Sequence, residues 1–253
     1  MSANMNANIW NLPQQNLNDI LMGLLNRSFT KGGVVVATTP GTATNLFDLT
    51  TTTHFCINGK SYSVASGTNK TVKSKSVKNN KLRVVAGGTG YNFGDILNLT
   101  TTGTGAKAMV VSLTGGVVND VRLVEAGYDY VVGTSATTVS SSPVGGASSG
   151  TGCTIDIMEV EPLITQAVST YCNYLISVTS GGVFLMTAGP VGTVALSEEF
   201  GDLPLGSAPI GYINIATSAA GTFILNTTAT NAAQVTALYK DLSSVVTSVP
   251  QNQ

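Results

Sequence analysis

Charge is what this chain has least of. Asp, Glu, Lys and Arg together make up 10% of its 253 residues, against about 25% in an ordinary soluble domain. A net charge of −1 and a pI near 5.7 leave no long-range attraction to nucleic acid or to an anionic membrane. Histidine occurs once, as His54, and the three cysteines (Cys56, Cys153, Cys172) include no CxxC pair. A Cys/His zinc site would need nearly all of these residues, so buried free thiols are the expectation. His54 has Cys56 two residues on but no acid or second histidine beside it, and it reads as a surface or half-buried structural residue. The sequence has no HExxH or P-loop motif, and no pair of carboxylates stands out as a glycosidase couple. No stretch of about 18 apolar residues suggests a membrane span, and no basic region followed by an apolar core suggests a secretory signal. The expectation is a protein without enzymatic activity or cofactor that folds in a reducing cytoplasm.

In place of charge stand Thr, Ser, Asn and 28 glycines, with 43% hydrophobic residues. Thr and Val suit pleated strands, while Gly and Asn suit tight turns, so the composition is that of a mostly β protein. The pattern is densest over residues 86–157, which read as one motif written twice. The first copy runs Ala-Gly-Gly-Thr-Gly-Tyr-Asn-Phe-Gly-Asp (86–95) and closes Gly-Thr-Gly-Ala (103–106). The second runs Glu-Ala-Gly-Tyr-Asp-Tyr-Val-Val-Gly (125–133) and closes Gly-Thr-Gly-Cys (150–153). Aligning them places Gly90-Tyr91 against Gly127-Tyr128, Gly94 against Gly133, and Gly103-Thr104-Gly105 against Gly150-Thr151-Gly152. Two copies are too few for a solenoid, so a compact two-repeat module is expected. Asp95 and Asp129 sit in glycine-rich loops. They lack EF-hand or RTX spacing, and turn-forming side-chain bonds are the favoured role.

Around this module the chain reads in order. Residues 1–15 are rich in Asn and Gln and form an extended arm carrying Ile9 and the only tryptophan, Trp10. A short helix follows, with Leu17, Ile20, Leu21, Leu24 and Leu25 on one face and Asn16 as N-cap. Both segments are candidate partner contacts, since an apolar face this short must pack on something. Asn58-Gly59 between Phe55-Ile57 and Tyr62-Val64 signals a hairpin, as does Ser180-Gly181-Gly182 between two apolar runs. Six of the twelve basic residues (Lys70, Lys73, Lys75, Lys78, Lys81, Arg83) fall within fourteen positions, and residues 69–81 read as a solvated linker. If the module is an insertion, these cations would meet Asp156, Glu159 and Glu161 on the return strand, where entry and exit lie together. Near the end, Val235, Leu238, Tyr239, Leu242, Val245 and Val246 fit a helical face, although Val235, Ala237 and Tyr239 alternate as in a strand. The helix is the leading expectation for 231–246.

Residues 86–157 resemble the glycine/tyrosine repeat module of tailed-phage virion proteins, in which G-x-G-Y-x-x-G-D is followed by G-T-G-A. Gly88, Gly90, Tyr91, Gly94, Asp95, Gly103, Gly105 and Ala106 carry the match, and Thr134 stands where the second copy should have its Asp. The flanks, 28–69 and 162–253, resemble a phage structural β domain with an L-P…P-x-G-x-I loop, here Leu203-Pro204 and Pro209-Ile210-Gly211-Tyr212-Ile213. The resemblance implies a sandwich-like or barrel-like β domain in two segments (28–75 and 160–253), an inserted module (76–159) and an N-terminal arm and helix (1–27). It further implies a virion structural protein made in the bacterial cytoplasm, most simply a capsid decoration or cement protein. Its partners would then be the major capsid protein and itself, as a homotrimer, with no nucleic acid or membrane. The alternative is a tail fibre or receptor-binding adhesin, with the Tyr91 and Tyr128 loops as glycan platforms.

Overall fold

The computed structural model of the chain describes residues 27–28, 30, 32–100, 102–133, 135–141, 150–194 and 199–242. Among them there is no helix; eighteen strands form several antiparallel sheets. The arm and helix expected over 1–26 lie outside the described residues.

Six strands precede the module: β1 (Arg27–Ser28), β2 (Val34–Val35), β3 (Phe47–Leu49), β4 (Thr53–Ile57), β5 (Lys60–Val64) and β6 (Gly67–Lys70). They form two three-stranded sheets, ordered β1-β4-β5 and β2-β3-β6. The β4–β5 hairpin turns at Asn58 and Gly59, both with positive φ, the geometry that Asn-Gly favours. Six strands follow the module: β13 (Thr165–Gln166), β14 (Tyr171–Thr179), β15 (Phe184–Ala188), β16 (Ser207–Thr217), β17 (Phe223–Ile224) and β18 (Val235–Asp241). Four of these make the sheet β15-β14-β16-β18. One hydrophobic core joins the two segments: Phe47, Leu49, Phe55 and Ile57 pack with Tyr174, Ile176, Ile213 and Phe223. The other face of the same sheet packs Leu175, Tyr212 and Phe200.

The Pro-x-Gly motif in β16 has a local cause. Pro209 lies where the β14–β16 register slips between Ile176 and Ser177, a bulge that tolerates the missing N–H. At Gly211 a Cβ would stand 2.7 Å from Val34 Cγ2 and 2.8 Å from the Lys240 carbonyl, so only glycine lets β2 cross the sheet there.

The end of the chain corrects the sequence reading. Residues 235–241 are a strand paired with β16 from Gly211↔Asp241 to Thr217↔Val235. Val235, Ala237 and Tyr239 pack on the core while Thr236, Leu238 and Lys240 are exposed. The period-two alternation therefore decided the outcome, with β-branched content on its side.

Residues 69–81 are also not a simple solvated linker. Val72, Val77 and Ser76 are buried. The Lys73 backbone pairs with β15, with its N–H donating to the Phe184 carbonyl at 2.8 Å and its carbonyl accepting from Met186 at 3.0 Å. The entry leg then runs beside the exit leg through Val77↔Val160.

Candidate functional site

The module comprises β7 (Leu82–Thr89), β8 (Ile96–Thr100), β9 (Lys107–Thr114), β10 (Val117–Glu125), β11 (Ser135–Ser141) and β12 (Thr151–Ile157). They form one sheet ordered β10-β9-β8-β11-β12-β7. The sheet curls until its two ends meet. The Tyr91 N–H, just beyond β7, reaches the Gly116 carbonyl before β10. A Cβ on Gly87 would press on the Val118 backbone. The result is a small barrel with its own core of Tyr91, Leu97, Leu99, Val110, Leu123, Tyr130, Ile155 and Ile157 among others.

The strand order is symmetric. Exchanging β7 with β10, β8 with β11 and β9 with β12 reproduces every pairing in the sheet. The β8–β11 register runs from Thr137↔Thr100 to Ser141↔Ile96 and places Leu99 opposite Thr138, residues that occupy the same place in their copies. A pseudo-two-fold axis passes through that pair. This symmetry corrects the alignment of the copies. Tyr91 corresponds to Tyr130, not Tyr128; Gly88 corresponds to Gly127, and Asp129 takes the place of Gly90. Gly88 and Gly127 share φ near +60°, and Gly90 and Asp129 are both left-handed. Sequence matching favoured the Gly-Tyr dipeptide, whereas Asp129 can adopt the left-handed conformation and so stand in for a glycine.

Each copy's tyrosine locks the other copy's glycine turn. Tyr91 lies against Gly150, and its hydroxyl accepts the Cys153 N–H at 3.1 Å. Tyr130 lies against Gly103; its hydroxyl accepts the Ala106 N–H at 3.0 Å and donates to the Leu99 carbonyl at 3.0 Å. Burial pushes the Tyr130 hydroxyl above its usual pKa, so it remains a donor. A side chain at Gly103 or Gly150 would fall inside 3 Å of the facing ring. Gly88 packs on the Thr151 carbonyl and Cys153 nitrogen, as Gly127 does on the Thr104 carbonyl and Ala106 nitrogen. The repeat signature is thus a mutual clasp.

This geometry removes Tyr91 from the glycan-platform reading, because the ring is 2% exposed. Tyr128 is half-buried, with Lys73 Nζ 5.5 Å from its ring centre. The exposed aromatic of the first loop is Phe93, at 71%. Its counterpart in the second copy is Val132, also exposed. Neither was singled out from sequence; their place beside the buried tyrosine in each loop was the available signal. Ile9, Trp10, Leu17, Ile20, Leu21 and Leu24 lie outside the described residues.

Asp95 is fully buried and accepts the Asn92 N–H at 2.9 Å, the turn-forming role expected of it. Asp129 instead meets Lys73 at 3.0 Å. Where the module joins the flanking strands, Lys78 and Lys81 both reach Glu159, at 3.1 and 2.9 Å, and Arg83 pairs with Asp156. The basic run and the return-strand acids therefore meet. Glu161 behaves differently. Burial raises its carboxyl to a pKa of about 7; Asp202 and Glu159 push the same way, and Lys78 opposes them. Glu159, held by its two lysines, is lowered. The three cysteines are free and buried, and burial pushes Cys172 up to about 12. His54 is exposed on β4 opposite Ser63. Among the described residues no group of three or more His, Cys, Asp or Glu could hold a metal ion. The chain matches no protein-family model, no curated protein and no solved structure.

Proposed function

We propose that this chain is a structural protein of a bacteriophage particle, a decoration or cement protein that binds the major capsid protein and stabilises the head shell. The observation that carries this reading is the clasp. The repeat signature, which resembles that of phage virion modules, holds two half-barrels together, with both tyrosines buried and four glycines in backbone or ring contact. A motif used this way builds a stiff body. Its outer surface is rich in uncharged polar groups and presents Phe93 and Val132 at related positions. The mechanism is mechanical: apolar and hydrogen-bonding surface buried across neighbouring capsid subunits raises the cost of separating them. Shell symmetry multiplies weak contacts, so no single interface has to be tight. With few charges involved, binding should depend only modestly on salt. Ile9, Trp10 and the 17–24 apolar face are the proposed anchor. The adhesin alternative loses Tyr91 as a platform.

Purified protein mixed with capsids stripped of it should rebind and restore their heat resistance, and deletion of residues 1–27 should abolish that binding. Adsorption to host cells with no capsid binding would replace this reading with the adhesin. A truncated protein that binds capsids unchanged would remove the arm from it.

A further inference from the structure

The sheet β15-β14-β16-β18 has two ends, and they are treated differently. At β15 the edge is covered, because Lys73 exchanges two backbone hydrogen bonds with Phe184 and Met186. Among the described residues no strand pairs with the outer side of β18. Its alternation is set by the Leu242 N–H, which donates to the Ile210 carbonyl at 3.1 Å, and by the continuous register from Gly211 to Thr217. Thr236, Leu238 and Lys240 therefore turn their backbone groups toward β16. Ala237 and Tyr239 turn theirs outward. The strand is seven residues long, without proline or bulge. At its centre stands Leu238, 54% exposed. An edge with these properties is a template for another strand.

We infer that β18 pairs antiparallel with β18 of a second copy of this chain, across a two-fold axis at Leu238, to make one continuous eight-stranded sheet. Three observations select this occupant. This sheet's other edge, β15, is already taken by Lys73, so copies cannot extend it head to tail, and a contact that joins the sheet to its own counterpart through β18 is isologous. The outward groups of Ala237 and Tyr239 then exchange both hydrogen bonds with Tyr239 and Ala237 of the second copy. That leaves Leu238 facing itself in the non-hydrogen-bonded position, where side chains approach most closely. Finally, Lys240 comes opposite Thr236 and Asp241 opposite Val235, so no charge meets its like. The contact is a two-fold one, unlike the three-fold that the phage resemblance implies, and it stands independently of the proposed function.

Sedimentation of the full-length chain between about 5 and 200 µM tests it, a range suited to an interface of modest area. A monomer–dimer equilibrium is expected, weakened at least about tenfold by Leu238→Lys, which sets two ammonium groups against each other. That position is more than half exposed, so the fold should survive, as circular dichroism will report. A second variant does not depend on affinity. Under mild oxidation Leu238→Cys should give a disulfide-linked dimer, since directly opposed residues lie within bridging distance. Thr236→Cys should cross-link only when mixed with Lys240→Cys. The native cysteines are buried and should not interfere. A chain that stays monomeric, a trimer indifferent to Leu238→Lys, or a Leu238→Cys protein that fails to cross-link would overturn the inference.

Discussion

The two halves of the module are built alike but differ in what closes them. In the first copy, the Tyr91 N–H donates to the Gly116 carbonyl of the module's own β9–β10 turn. In the second, the corresponding Tyr130 N–H donates to the Lys75 carbonyl of the entry leg. Ala126 N–H donates to the Leu205 carbonyl, and Gly206 packs on Glu125. One local design thus serves as an internal closure at one end and as an attachment at the other. The lesson is that the clasp is indifferent to the origin of its neighbours, because it bonds backbone groups that any extended segment can offer.

The sharpest way to break the equivalence is to fill the glycine turns. Gly103→Val and Gly150→Val should each destabilise the module by about 3 kcal/mol or more, since the new side chain must displace a buried tyrosine ring. Paired thermal melts should find the two effects similar; a large loss at one site and none at the other would deny that the two clasps are equivalent. Next come the hydroxyls. Tyr130→Phe leaves the Ala106 N–H and Leu99 carbonyl without that partner, and about 1–3 kcal/mol is expected from denaturant titration. Tyr91→Phe should cost a similar or smaller amount through the Cys153 N–H.

The smallest effect separates the anchored end from the distal one. Glu161 has an ordinary pKa of 4.5 when unfolded and about 7 in the fold. Its folded form binds the proton more tightly, so its contribution is fully present below pH 4.5. The contribution declines as pH rises through 7, by at most about 3 kcal/mol. Glu159 works in the opposite sense, adding stability above 4.5 that is lost as pH falls through its lowered value. Glu161→Gln should flatten the stability profile between pH 5 and 8, by about 1–3 kcal/mol at the upper end. A variant with the parent's slope would show that the Glu161 carboxyl does not set it.

Much of this was legible in the residues. The Asn58-Gly59 and Ser180-Gly181-Gly182 hairpins follow from turn chemistry, which is local. The repeat was visible because left-handed turns and close ring packing demand glycine at fixed places. The alignment of its copies was off by two residues because Asp129 fulfils a glycine's conformational role without sharing its letter. The meeting of the basic run with Asp156 and Glu159 was anticipated conditionally, since opposite charges flanking an insertion come together when its ends do. Val72 and Val77 were missed because two isolated valines in a lysine-rich run carry no period.

Local chemistry thus determined the β class, the turns and the presence of a doubled motif, because backbone preference and side-chain alternation act over a few residues. Tertiary structure alone decided that each tyrosine would clasp the opposite copy and that Val235–Asp241 would pair with β16, with no strand on its outer side among the described residues. Those outcomes depend on contacts between segments far apart in the chain, and a register between distant strands is written in neither of them separately.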